Sequence, residues 1–195
     1  MIEVGDVHKL SLHRPSRLFA LIIGINEYPN IPNSNLKGAV ADADNMRDYL
    51  QNRLGVPSCR IKNLRDHGAT RATIIEEIQA LSFNKEIKKA RGDPILIYYA
   101  GHGGSTDTPE EWKAGNTGKL RTEFLIPYDY SGSSLKDGNV NLKLTHGIPD
   151  RTLGFLLLQL AGKKGDNIVR QNLPYRCSPS TNYVTDCHSR LLSLR

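Results

Sequence analysis

Two short stretches of the chain carry residue types that can do covalent chemistry. "YYAGHGG" (98–104) sets His102 among Gly101, Gly103 and Gly104, directly after the apolar run 95–99. "TDCHSR" (185–190) sets Cys187 between Asp186 and His188, the company a thiol keeps when it is ionised as a nucleophile. An imidazole at a strand end can serve as general base or acid, and the Gly103 amide beside it can be aimed at an oxyanion. The same local residues also describe a glycine-rich loop with a solvent-exposed His. Which reading holds depends on the elements that carry the two stretches.

Those elements can be read from pattern. "RLFALIIGIN" (17–26) and "ILIYY" (95–99) are continuous apolar runs rich in branched residues, the mark of strands buried on both faces. Between them, 36–54 has helical spacing ended by Gly55, "RIKNL" (60–64) is a short strand, and "TRATIIEEIQAL" (70–81) is a helix opened by Thr70. Residues 105–121 read as an irregular insertion, 123–130 as a short strand ended by Pro127, and 131–147 as a Gly/Ser/Asn loop. A helix at 148–166 starts with Pro149 and stops at Gly165. Strand–helix alternation of this kind implies right-handed crossovers and a parallel, doubly wound sheet. The rhythm then calls for one more buried strand, but 169–195 holds two prolines, four arginines and no apolar run.

The bulk numbers narrow the classes. At 195 residues the chain suits one α/β domain, and no run approaches the roughly 18–20 apolar residues of a membrane span. Three scattered cysteines, Cys59, Cys177 and Cys187, form neither a disulfide framework nor a zinc spacing, so the expected setting is reducing and cytoplasmic, with no metal site. Half of the net charge of +6 lies in 169–195, and no basic patch is interleaved with aromatics. Neither nucleic acid nor membrane is expected as a partner.

"RLFALIIGINEY", "LKGAVADADNM", "ILIYYAGHGG" and "EFLIPYDY", in that order and spacing, resemble the caspase-like cysteine peptidases, on the metacaspase-like branch. The resemblance covers 17–168 and implies a caspase-like three-layer sandwich with a mostly parallel sheet. It implies that His102 belongs to a Cys–His dyad, that the Gly103 amide forms part of the oxyanion hole, and that Asp42 lines an S1 pocket for Arg or Lys. With Asp44 and Asp48 as neighbours, Asp42 is equally an ordinary helix-surface carboxylate. Protein or peptide substrates are implied, and no cofactor. Some relatives need calcium, but no residue cluster here is carried over as ligands.

The family's nucleophile follows a strand in a pattern like apolar–apolar–apolar–Asp–x–Cys–His–Ser–Gly. Cys187 misses it on three counts. "PSTNYVT" before it is not a buried strand, the residue between Asp186 and Cys187 is lacking along with the final Gly, and the segment after Gly165 is too long for a strand–helix repeat. The codons permitted for 184–195 suggest why. Read one base into codon 186, they can encode Thr-Val-Ile-Leu-Asp-Cys-Cys-His-Ser-Gly, and the present frame can then meet a stop after Arg195. Val169 and Arg170 can be written as a splice-donor-like GTACGT, and an acceptor-like ACAG precedes the shifted frame. The interval is one base more than a whole number of codons.

The expectation is therefore a polar leader (1–16), a partial caspase-like domain (17–168) that is incomplete at its C-terminal half, and an aberrant, disordered tail (169–195) encoded by a retained intron and a shifted frame. Cys187 is then a coincidental match, the strand 95–99 keeps an open edge, and the chain has no peptidase activity. Two alternatives stand beside this one: a non-catalytic caspase-like adaptor or decoy, and an α/β domain binding a phosphorylated ligand on the "AGHGGS" loop.

Overall fold

A computed structural model describes residues 16–108, 121–131 and 145–175, and structural statements below concern these residues. The first strand, β1 (Phe19–Gly24), is buried along its whole length. It runs parallel to β2 (Ile61–Arg65) on one side and to β3 (Ile95–Asp107) on the other. Alternation splits its apolar run between two cores. Ala20 and Ile22 meet Leu96, Tyr98 and Ala100 under α1 (Ala39–Asn52). Phe19, Leu21 and Ile23 meet Ile95, Ile97 and Tyr99 under α2 (Arg71–Phe83) and α3 (Asp150–Lys164). Helices on both faces of a mostly parallel sheet give the three layers that the sequence predicts.

Local chemistry sets the ends of these elements. Thr70 caps α2, its hydroxyl accepting from the Thr73 amide at 3.2 Å. Helix α1 begins at Ala39 rather than at 36, because the Leu36 amide is taken by the Asn26 carbonyl at 2.7 Å and stays in the loop. Its first turn rests directly on the end of β1. A Cβ at Gly24 would fall 2.6 Å from the Ala43 Cβ and 2.9 Å from the Ala39 carbonyl oxygen.

Two expectations about the sheet are corrected. The glycines of "AGHGG" do not turn the chain. β3 runs on through them to Asp107 and pairs antiparallel with β4 (Arg121–Leu125), which pairs in turn with β5 (Ile148–Pro149). A strand engaged in a ladder cannot curl its amides around a phosphate, so the phosphorylated-ligand alternative loses its loop. The glycines serve close approach instead: a Cβ at Gly104 would sit 2.6 Å from the Phe124 ring.

The second correction concerns the edge of β3. Residues 168–175 form a strand, β6 (Ile168–Tyr175), parallel to β3 in continuous register from Ile95↔Ile168 to His102↔Tyr175. The predicted open edge of 95–99 is thus covered by the start of the segment expected to be disordered; 176–195, with Cys177 and Cys187, lie outside the described residues. The physical reason is that β3's edge presents a row of backbone donors and acceptors, and the chain leaving α3 is tethered beside it. The Ile95 amide donates to the Asn167 carbonyl at 3.0 Å, so odd residues of β3 face β6. In the same ladder the even residues of β6 face outward. Pro174 falls in that outward set and costs no ladder bond. β6 is still a poor interior strand, with Val169 54% exposed.

Pairing of this kind is testable by amide hydrogen exchange. The Ile97 and Tyr99 amides, which face β6, are expected to exchange slowly in the full chain and much faster in a chain cut after Asn167. Equal protection in both would show that β6 does not cover this edge.

Candidate active site

The long strand β3 brings His102 to the point where the parallel sheet ends and the antiparallel extension begins. The imidazole is 2% exposed, which removes the reading of a solvent-exposed loop His. A buried ring must be hydrogen-bonded, and the loop 25–36 after β1 supplies the partner. The Ser34 carbonyl lies 2.7 Å from His102 Nε2. A carbonyl only accepts, so Nε2 carries the proton, and in the neutral ring Nδ1 holds the lone pair. Burial lowers the His102 pKa from its ordinary value, and the Ser34 hydrogen bond offsets this in part. The result is a neutral base of fixed tautomer.

The main chain of His102 is held as firmly as its ring. Its amide donates to the Tyr28 hydroxyl at 2.8 Å, and the Tyr28 ring lies 4.7 Å from the imidazole, tilted by 51°. The Tyr99 hydroxyl, wholly buried, lies 2.7 Å from the His102 carbonyl and 2.9 Å from the Ile126 carbonyl. Burial above all, and then Tyr28, push the Tyr99 pKa well above the usual phenol range, so the Tyr99 hydroxyl stays protonated. Gly101 is required between the two hydroxyls. A Cβ there would stand 2.7 Å from the Tyr99 hydroxyl and 2.8 Å from that of Tyr28.

Gly103 follows by alternation. The His102 carbonyl accepts from the Ile126 amide at 3.0 Å, so residue 102 faces β4 and residue 103 faces the opposite edge, where β6 ends. Its amide is therefore turned toward register position 175. Asp42 lies in the first turn of α1, half-buried, its amide donating to the Gly38 carbonyl at 2.8 Å. That turn stands over the end of β1, on the same sheet face as the even residues of β3, His102 among them. The neighbouring Asp44 is engaged by Arg47 at 2.9 Å and by Arg65 at 3.1 Å. Burial lowers the Arg65 pKa even though Asp44 opposes the shift.

Sequence reasoning missed the partners of His102. Ser34 acts through its carbonyl, which no side-chain pattern reveals, and Tyr28 sits in "EYPNIPN", a stretch that reads as plain loop. The same stretch lines an open cleft of about 500 Å³ with Tyr28, Pro29, Ile31, Pro32, Asn33 and Asn35. Among the described residues, no group of three or more His, Cys, Asp or Glu side chains converges as a metal site would need. No helix among them is long and apolar enough to cross a membrane.

Comparison with known proteins places this geometry in context. A family model described as "Caspase domain" matches residues 17–175. Metacaspase-1 of Meyerozyma guilliermondii is 30% identical over 118 residues, covering 57% of this chain and 26% of the relative. Metacaspase-1B of Aspergillus oryzae is 36% identical over the same shares, and Metacaspase-1 of Saccharomyces cerevisiae is 36% identical over 45% of this chain and 20% of its own length. The chain thus spans about a quarter of the curated relatives it matches. In structure, a Geobacter sulfurreducens protein superposes with a TM-score of 0.53 at 22% identity, over 86% of this chain and 52% of its own. That likeness concerns the fold.

Two outcomes follow from the His102 environment. Its folded pKa lies below the unfolded value of about 6.5, so as pH falls past 6.5 the unfolded chain binds more protons and stability declines. Urea midpoints taken at about pH 7.5 and about pH 5.5 should show that decline, and His102→Gln should flatten it. Gly101→Ala should destabilise the chain by about 1–3 kcal/mol through overpacking against the two hydroxyls, read by the same titration.

Proposed function

The chain belongs to the caspase-domain family, and on that premise we propose that it is the imidazole-bearing part of a cysteine endopeptidase domain whose nucleophile this polypeptide lacks. In a complete site, Nδ1 of His102 takes the proton of a thiol, and the thiolate attacks the scissile carbonyl of a protein or peptide. The Gly103 amide faces the developing oxyanion. The imidazolium then protonates the departing amine, and the thioester left behind is hydrolysed by a water that gives its proton back to Nδ1. Asp42 is the carboxylate that would receive an Arg or Lys side chain in the S1 pocket.

The observation that carries this reading is the register of β3 with β6. Residues paired in register on neighbouring strands belong to the same face of the sheet. His102 is paired with position 175. Position 175 is the seventh residue after Ile168, and in the shifted frame Thr-Val-Ile-Leu-Asp-Cys-Cys the seventh residue is the second Cys, the one in the Asp–x–Cys position. The strand register and one permitted set of codons thus support the same position. In this chain Tyr175 stands there. Residues 169–195 are on this reading a translated intron and a shifted frame, and their first residues take up a strand position that once carried the thiol. The full protein's substrates, calcium dependence and cytoplasmic setting remain part of the proposal. A folded module without the nucleophile also suits an adaptor or decoy, and the completed β3 edge favours that second reading over simple misfolding.

The chain as written should not turn over a peptide with Arg or Lys at P1. Turnover abolished by Cys187→Ala would contradict the proposal. With Cys59, Cys177 and Cys187 replaced by Ser, Tyr175→Cys should give a thiol alkylated by iodoacetamide with an apparent pKa below the ordinary value of about 8.5. Adding His102→Ala should restore the ordinary value. Identical pH–rate profiles with and without His102 would defeat the assignment of position 175.

A further inference from the structure

The imidazole is gripped by a loop that must itself be held, and the residue at its base comes from another strand. Oδ1 of Asp66, immediately after β2, accepts from two successive amides of that loop, Asn26 at 2.7 Å and Glu27 at 3.0 Å. We propose that Asp66 is a positioning residue for His102, fixing through residues 26–36 the tautomer and orientation of the imidazole. The path is continuous. The Asn26 carbonyl takes the Leu36 amide at 2.7 Å and its Oδ1 takes the Val40 amide at 3.2 Å, which ties the two ends of the loop together. Just inside that closure, Asn35 Oδ1 accepts from the Tyr28 amide at 2.9 Å. The loop so closed presents the Tyr28 hydroxyl to the His102 amide and the Ser34 carbonyl to His102 Nε2.

Two features separate Asp66 from an ordinary turn residue. Its φ is +38°, left-handed backbone that an L residue adopts at a cost and keeps only where its surroundings over-determine it. Two amides converging on one oxygen also call for a charged acceptor, since such bonds are roughly twice as strong as neutral ones. The register explains the reach. Gly24 pairs with Arg65, so Asp66 stands one residue beyond the last rung, level with the start of the loop.

A purely structural Asp66 and a positioning Asp66 predict different behaviour. Glycine adopts a φ of +38° without strain, so Asp66→Gly removes the acceptor while relieving the backbone. Asp66→Asn keeps the shape and one accepting oxygen but not the charge. The readout is the His102 side chain in the full chain labelled with ¹⁵N-histidine: the ring nitrogen shifts, which give the tautomer, and the exchange rate of the Nε2 proton. The expected order of exchange is wild type slowest, Asp66→Asn intermediate and Asp66→Gly fastest by about tenfold, the loss of one hydrogen bond, with mixed tautomers in the last. The proposal is overturned if either folded variant keeps the wild-type tautomer and exchange rate. Its catalytic meaning rests on the dyad reading above, whereas the test observes the ring directly, so either can fail without the other.

Discussion

A buried imidazole is useful as a base only if something decides which nitrogen keeps the proton, and in this fold the Ser34 carbonyl decides it. Left unpaired in the interior, Nε2–H would cost about 1–3 kcal/mol, so the loop and the strand are tied to each other energetically as well as geometrically. The consequence runs outward. The loop must return to the sheet at a fixed height, which requires the Asn26–Leu36 closure and the Asp66 carboxylate. The strand must hold its peptide planes in place, which the Tyr28 and Tyr99 hydroxyls do around a residue that can only be glycine. A base of one tautomer, dry and nearly neutral, is the product of these contacts together.

The strand β3 is what makes them compatible. Its first half is the centre of a parallel sheet and its second half the start of an antiparallel one, and His102 lies at the changeover. Even residues face β1 and then β4; odd residues face β6. The imidazole's backbone is therefore committed to one edge, while the next residue, Gly103, offers its amide to the other. An oxyanion donor and a base can sit side by side on one strand because successive residues face opposite ways. β6 closes the other edge of β3 and, in this chain, pairs Tyr175 with His102.

Much of this was legible in the residues. The buried runs 17–26 and 95–99 read as central strands, Thr70 marked the start of α2, and "AGHGG" drew attention to His102. The extent of β3 was not legible, because glycines that suggest a turn are present here to let two tyrosine hydroxyls and a phenyl ring approach. β6 was missed for a different reason. Its pairing depends on backbone groups and tethering beside β3, to which a pattern of apolar residues is blind, and Val169, Arg170 and Gln171 read as coil. The clamps on His102 escaped because one is a backbone carbonyl and the other a hydroxyl from a stretch that reads as loop, both far away in sequence.

On the function proposed above, the imidazole of His102 is shaped to meet a thiol seven residues beyond Ile168, in a frame this polypeptide does not use. The nucleotide sequence across codons 168–195 tests it most directly. The prediction is a donor-like boundary at codons 169–170, an acceptor-like boundary at codon 186, and Thr-Val-Ile-Leu-Asp-Cys-Cys-His-Ser-Gly in the alternative frame, joined to Ile168 in spliced transcripts. An alternative frame without that motif, or transcripts in which 169–195 are always retained, would contradict it.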